Sequence, residues 1–78
     1  DASEFSPRRS EAEPLHIQVS DFMRARIASG QWSPGTKLPS EPILSVELGV
    51  ARGTLRRAVD DLASEGFLSR VHGRGTFV

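Results

Sequence analysis

Three glycines, Gly30, Gly49 and Gly66, each stand just after a run of apolar residues at helical spacing. Glycine accepts the left-handed backbone in which helices commonly end. The chain is thereby divided into short helices that must bury their apolar stripes against one another. Before Gly30, Leu15, Val19, Met23 and Ile27 recur every four residues, with Phe22 beside them and polar Gln18, Asp21 and Arg24 between. Pro14 opens this helix, and the stripe reads as core packing. Before Gly49, Ile43, Leu44 and Leu48 are expected to form the buried face of a second helix. Ser40 is its expected N-cap, accepting a backbone N–H, and Pro42 falls in the first turn, where a missing donor costs nothing. Before Gly66, a third helix is expected over roughly Arg52 to Glu65. Leu55, Ala58, Val59 and Leu62 share one stripe of it, and Ala51 leads in.

The connections carry their own signals. In "QWSPGTKLP" the Pro34-Gly35 pair marks a turn, Trp32 and Leu38 are apolar anchors, and "TKL" suits a very short strand. After Gly66, "FLSRV" and "TFV" are β-prone and flank the turn "HGRG", so an antiparallel hairpin is expected, with Phe67 and Val71 turned inward. The predicted order is helix, short strand, helix, helix, hairpin. Residues 1–13 are polar and aperiodic, and read as a disordered tail ahead of a domain over residues 14–78. The first residue is Asp rather than Met. A fragment or processed product is expected, and the first few residues are left out of fold reasoning.

A chain of 78 residues suffices for one small domain. It has no cysteine, so disulfides and Cys-based metal sites are excluded, which suits a reducing cytoplasm. No stretch of eighteen apolar residues spans a membrane and no secretory leader is visible. His16 and His72 lack a ligand pattern, so neither metal nor cofactor is expected. Nor is an enzyme: there is no Ser-His or paired-carboxylate arrangement, and the adjacent Asp60 and Asp61 diverge by about 100° on a helix.

Net charge is zero, from 10 basic and 10 acidic residues. The distribution is uneven: residues 1–13 hold four acids against two arginines, and residues 50–78 hold five arginines against three acids. A basic patch on a neutral protein still creates a strong local field. In "GVARGTLRRAVDDL" that sorting is sharpest, since Arg52, Arg56 and Arg57 precede Asp60 and Asp61. Two short helices joined by "LGVA" suggest a helix-turn-helix, whose second helix enters the DNA major groove with its N-terminal residues on the bases. Arg52 and Arg56 share an outward face with Gly53 and are the candidates for guanine, Gly53 permits close approach, and Thr54 suits a phosphate. Arg57 lies further round the helix. The helix dipole adds to the attraction for phosphate, and the acids lie beyond the groove. Without a DNA partner the same arginines would form a solvated face, with Arg56 and Asp60 paired at i, i+4. In "VHGRGTF", His72 and Arg74 flank Gly73 and are placed to reach phosphates or a minor groove. A protein-docking module is the competing function; it would show an exposed apolar patch and little salt dependence.

From Pro14 to Val78 the sequence resembles the winged helix-turn-helix DNA-binding domain of GntR-family bacterial transcription regulators. "PGTKLPSE", "LGVARGTLRRA", "LASEG" and "GRGTFV" carry the likeness, and "PLHIQ" with "GRGTFV" looks most like the HutC-type branch. The resemblance implies a mainly α fold of three helices with a small β-hairpin wing. It implies operator contacts from Arg52, Thr54 and Arg56 in the recognition helix and from His72, Gly73 and Arg74 in the wing. Ser40 and Glu41 match the start of the preceding helix, with Ser40 a further phosphate contact. The implied role is operator reading for a cytoplasmic transcription regulator, most simply a repressor. Its partners would be double-stranded operator DNA, a second copy of the chain through a C-terminal domain, and a small-molecule effector of that domain. One branch joins a similar domain to an aminotransferase-like enzyme. Three positions depart from the pattern: Ala51 replaces a capping Ser or Thr, Gly53 replaces larger residues, and Pro42 replaces an often charged residue.

Overall fold

The computed structural model describes residues 2–7 and 13–78. Its helices are α1 (Leu15–Ala28), α2 (Glu41–Leu48) and α3 (Arg52–Ser64), and its strands are β1 (Ser69–Val71) and β2 (Gly75–Phe77). A single 3-10 turn, Ala2–Glu4, precedes them.

α3 is the central element, packed against both α1 and α2. Its stripe of Leu55, Ala58, Val59 and Leu62 is buried as expected, and meets Val19 and Met23 of α1 and Leu44 and Leu48 of α2 in one core. The other expected stripes reach the core only in part. Leu15 is exposed at the first turn of α1, before that helix reaches its neighbours. Ile43 is 55% exposed: on a helix of 8 residues, Leu44 and Leu48 already fill the side facing α3, and Ile43 falls on the flank.

Two of the three glycines end their helices by a shared device. Gly49 (φ 72°) and Gly66 (φ 86°) adopt the left-handed conformation. After Gly49, Val50 N–H reaches back to Ser45 O at 3.1 Å; after Gly66, Phe67 N–H reaches Leu62 O at 2.9 Å. These are Schellman closures, which satisfy carbonyls that the helix end would orphan. The second one shifts the expected hairpin. Leu68 N–H also bonds Leu62 O, at 3.3 Å, so the chain is still leaving the helix at Phe67 and β1 begins only at Ser69. In consequence Leu68 is the fully buried residue, Phe67 packs half-buried against the core as expected, and Val71 is exposed, against the inward placement expected of it.

The "TKL" segment pairs as an isolated bridge, Lys37 with Phe77, on the edge of β2 that β1 leaves open. Leu38 N–H donates to Thr76 O at 2.9 Å and Val78 N–H to Thr36 O at 2.8 Å. The hairpin is thereby tied to the loop between α1 and α2.

Residues 2–7 depart from the disordered tail expected over 1–13. Ala2 is buried against the core, and Phe5 packs edge-on against Phe22 with ring centroids 5.4 Å apart. Phe22 in turn meets Trp32 edge-on, and the Arg26 guanidinium lies 4.7 Å over the Phe22 ring and pairs with Glu4. The physical reason is apolar area: Phe22 of α1 and Trp32 after it leave aromatic surface beside the core that the N-terminal segment covers. Of the rest of the expected tail, residues 1 and 8–12 lie outside the described residues.

Candidate nucleic-acid interface

α3 begins with an open end. Ala51 is its N-cap residue and supplies no side-chain cap, and the first backbone bond is Leu55 N–H to Ala51 O at 3.1 Å. The amides of Arg52, Gly53 and Thr54 therefore have no acceptor within the helix. The first turn contains no acid. Arg52, Gly53, Arg56 and Arg57 are exposed and Thr54 is half-buried. Among the described residues Arg52 and Arg57 make no side-chain hydrogen bond or ion pair. A Cβ built on Gly53 meets nothing within 4 Å. No packing within the domain therefore calls for a glycine at this site.

Arg56 is not paired with Asp60, as its i, i+4 spacing would allow. Its Nε donates to Glu41 Oε1 at 3.2 Å, across from α3 to the first residue of α2. The pair is superficial: the Arg56 side chain remains 66% exposed. Asp60 is instead taken by Arg70 of β1, which also reaches Glu41 Oε2 at 3.4 Å. The hydrogen bond to Asp60, and to a lesser degree that to Glu41, holds the Arg70 guanidinium even more firmly protonated than usual, against the opposing effect of burial.

The hairpin register pairs Ser69 with Phe77, Arg70 with Thr76 and Val71 with Gly75, leaving His72, Gly73 and Arg74 as the tip. Gly73 takes a positive φ of 75°, and Arg74 N–H closes the turn on Val71 O at 2.9 Å. All three tip residues are exposed. Behind the tip, Gly75 (φ 124°) lets Lys37 cross closely, since a Cβ there would lie 2.8 Å from Lys37 Cε.

A cleft of about 450 Å³ runs between the wing and the start of α2. Lys37, Ser40, Glu41 and Arg74 line its rim, with Leu44 and Val59 among its walls. Ser40 is the N-cap residue of α2, as expected, but its hydroxyl makes no capping bond; it is exposed beside the cleft. The structure thus gathers Ser40 and Arg74 at one cleft and joins Arg56 to it through Glu41. Arg57 has no such link. Lys37 escaped sequence reasoning because its place beside the wing depends on the bridge to β2. Glu41 was read only as part of a helix start, because its partners Arg56 and Arg70 lie 15 and 29 residues further along the chain. Among the described residues no helix is long and apolar enough to cross a membrane, and no group of His, Asp and Glu could hold a metal ion.

Comparison with known proteins decides the family. Residues 15–78 match the bacterial regulatory proteins of the gntR family. The chain belongs to that family. It is 41% identical over 66 residues to the mannosyl-D-glycerate transport/metabolism system repressor MngR of Escherichia coli, covering 85% of this chain and 28% of that protein. It is 43% identical over 65 residues to the histidine utilization repressor of Pseudomonas aeruginosa, covering 83% and 26% respectively, in keeping with the HutC-type features. It spans under a third of the length of either relative. Among solved structures, AraR(DBD) in complex with operator ORE1 superposes with a TM-score of 0.81 at 36% identity, covering 96% of this chain and 92% of that one. This gntR-family chain is a winged helix-turn-helix DNA-binding domain: α2 and α3 form the helix-turn-helix and β1–β2 the wing.

Proposed function

We propose that this gntR-family domain reads an operator by laying the start of α3 in the major groove while the wing tip meets the adjoining backbone or minor groove. The observation that carries this is an acid-free, cationic, uncapped start to α3, tied through Arg56 and Glu41 to the cleft beside a glycine-hinged wing. In this reading Arg52 and Arg56 contact bases, Gly53 permits close approach, and Thr54, Arg57 and Ser40 hold phosphates. His72, Gly73 and Arg74 form the second contact. The likeness to AraR(DBD), solved on an operator, supports it. The parent protein is proposed to be a cytoplasmic repressor without enzymatic activity, dimeric through a further domain that binds a small effector. A dimer would set two α3 helices about one DNA turn apart on a near-palindrome.

A titration tests the reading. Arg56→Ala should weaken binding to a site selected from randomised duplexes and relax preference at one base pair. Arg74→Ala should weaken it with less base selectivity. Equal affinity of wild type and both variants overturns the assignment. Exposed Ile43 and Val46, one turn apart on α2, favour a second reading in which the domain docks on another protein. A salt series separates the two, because DNA binding weakens with a log–log slope of about 0.9 per phosphate neutralised and apolar docking does not.

A further inference from the structure

Glu41 is an acid on a face built to meet phosphate, and its two oxygens are divided between two arginines. Oε1 accepts from Arg56 Nε at 3.2 Å and Oε2 from Arg70 Nη2 at 3.4 Å. Arg70 is anchored from its other side by Asp60. The four residues link the start of α2, two turns of α3 and the first strand of the wing. Glu41 is the more buried partner of Arg56, with 25% side-chain exposure against 66%. The carboxylate is thus the fixed member of the pair and the guanidinium the member it steers.

The geometry points to Glu41 as a positioning residue for base reading, an inference that rests on the operator-reading proposal. Guanidinium has five N–H donors in a rigid plane. Engaging Nε restrains that plane and leaves the four donors on Nη1 and Nη2 at the exposed edge. A fork of that kind matches guanine O6 and N7. Restraint before binding lowers the conformational entropy lost on binding, which favours the one base pair that fits the held orientation. Arg70 and Asp60 hold Glu41 from behind, and the charge of Arg70 offsets the repulsion between Glu41 and DNA. Arg52 and Arg57, unpaired among the described residues, are under no such restraint. The division of labour is therefore physical: one arginine held for a base, others free to follow phosphates.

The test uses the chain, a duplex selected from a randomised library, and the same duplex substituted at each base pair in turn. Glu41→Gln keeps the shape and removes the charge. Its discrimination at the base pair sensed by Arg56 should fall by about 5–10-fold, the lower part of what a bidentate contact supplies. Its affinity for random duplex should hold or rise, because an acid has left the phosphate-facing surface. Arg70→Gln keeps the Arg56–Glu41 bond and removes only its support from behind, so its discrimination should fall by less than that of Glu41→Gln. Unchanged discrimination in Glu41→Gln overturns the inference. So does a parallel loss of specific and random binding in both variants, which marks a structural role. The wild type gives an independent reading by NMR: the Arg56 Nε–H should exchange with water more slowly than those of Arg52 and Arg57, and equal rates overturn the inference without any variant. Failure of the wild type to bind duplex at all would instead refute operator reading itself.

Discussion

Ala51→Ser should make the domain more stable. Ala51 holds the N-cap of α3 with φ −66° and ψ 150°, the extended conformation that N-cap serines adopt, and it is exposed. A hydroxyl added there meets no crowding and can accept from the amide of Gly53 or Thr54, neither of which has an acceptor inside the helix. Serine in place of alanine at such a site contributes about 0.5–2 kcal/mol, centred near 1. In a domain of this size each kcal/mol moves the melting temperature by about 4–8 °C, so a rise of that order is expected. Thermal unfolding followed by circular dichroism measures it. Ala51→Thr should show the same sign with a smaller gain. Ala51→Val, which has threonine's shape without its oxygen, should show none. If the serine and valine variants melt together, the open end of α3 is not the weakness that its geometry indicates.

Other expectations concern the glycines, the core and the N-terminal segment. Gly49→Ala should cost about 1–2 kcal/mol in urea unfolding, because the left-handed φ is strained for any Cβ although the space is free. Gly53→Ala should do the reverse, gaining up to ~1 kcal/mol of helix propensity while weakening operator binding by filling the approach to the groove; a stability gain without an affinity loss would remove Gly53 from the interface. Leu62→Ala, fully buried where α3 meets α1, should cost about 2–5 kcal/mol and leave much of the population unfolded at room temperature by circular dichroism. Phe5→Ala should lower stability by about 1 kcal/mol through loss of its edge contact with Phe22, with no change in the salt slope of DNA binding.

What the sequence disclosed followed from local rules. The stripe of α3 was legible because four apolar residues at helical spacing determine one face, and the ends of α2 and α3 because glycine has a specific backbone role. The shared face of Arg52 and Arg56 follows from the same periodicity. What stayed hidden depends on partners distant in sequence. Arg56 offered Asp60 at ideal spacing, yet chose Glu41, because folding delivers Arg70 to Asp60 from the wing. Leu68, not Val71, faces inward because the closure at Gly66 delays the strand, a phase that β-propensity does not encode. The burial of Ala2 was invisible because a single small residue in a polar segment carries no periodic signal.

Because β2 is bonded along both edges, the wing is not a freely swinging finger. Its inner strand shares backbone bonds with Thr36 and Leu38, and its glycine seat carries the stem of Lys37. If the wing tip meets DNA as proposed, the bend at Pro34 and Gly35 would set the height at which Arg74 stands over it. Exchanging residues in that bend would retune the reach of the tip while every groove-facing side chain kept its identity, giving related domains a route to new binding sites that leaves the reading helix untouched.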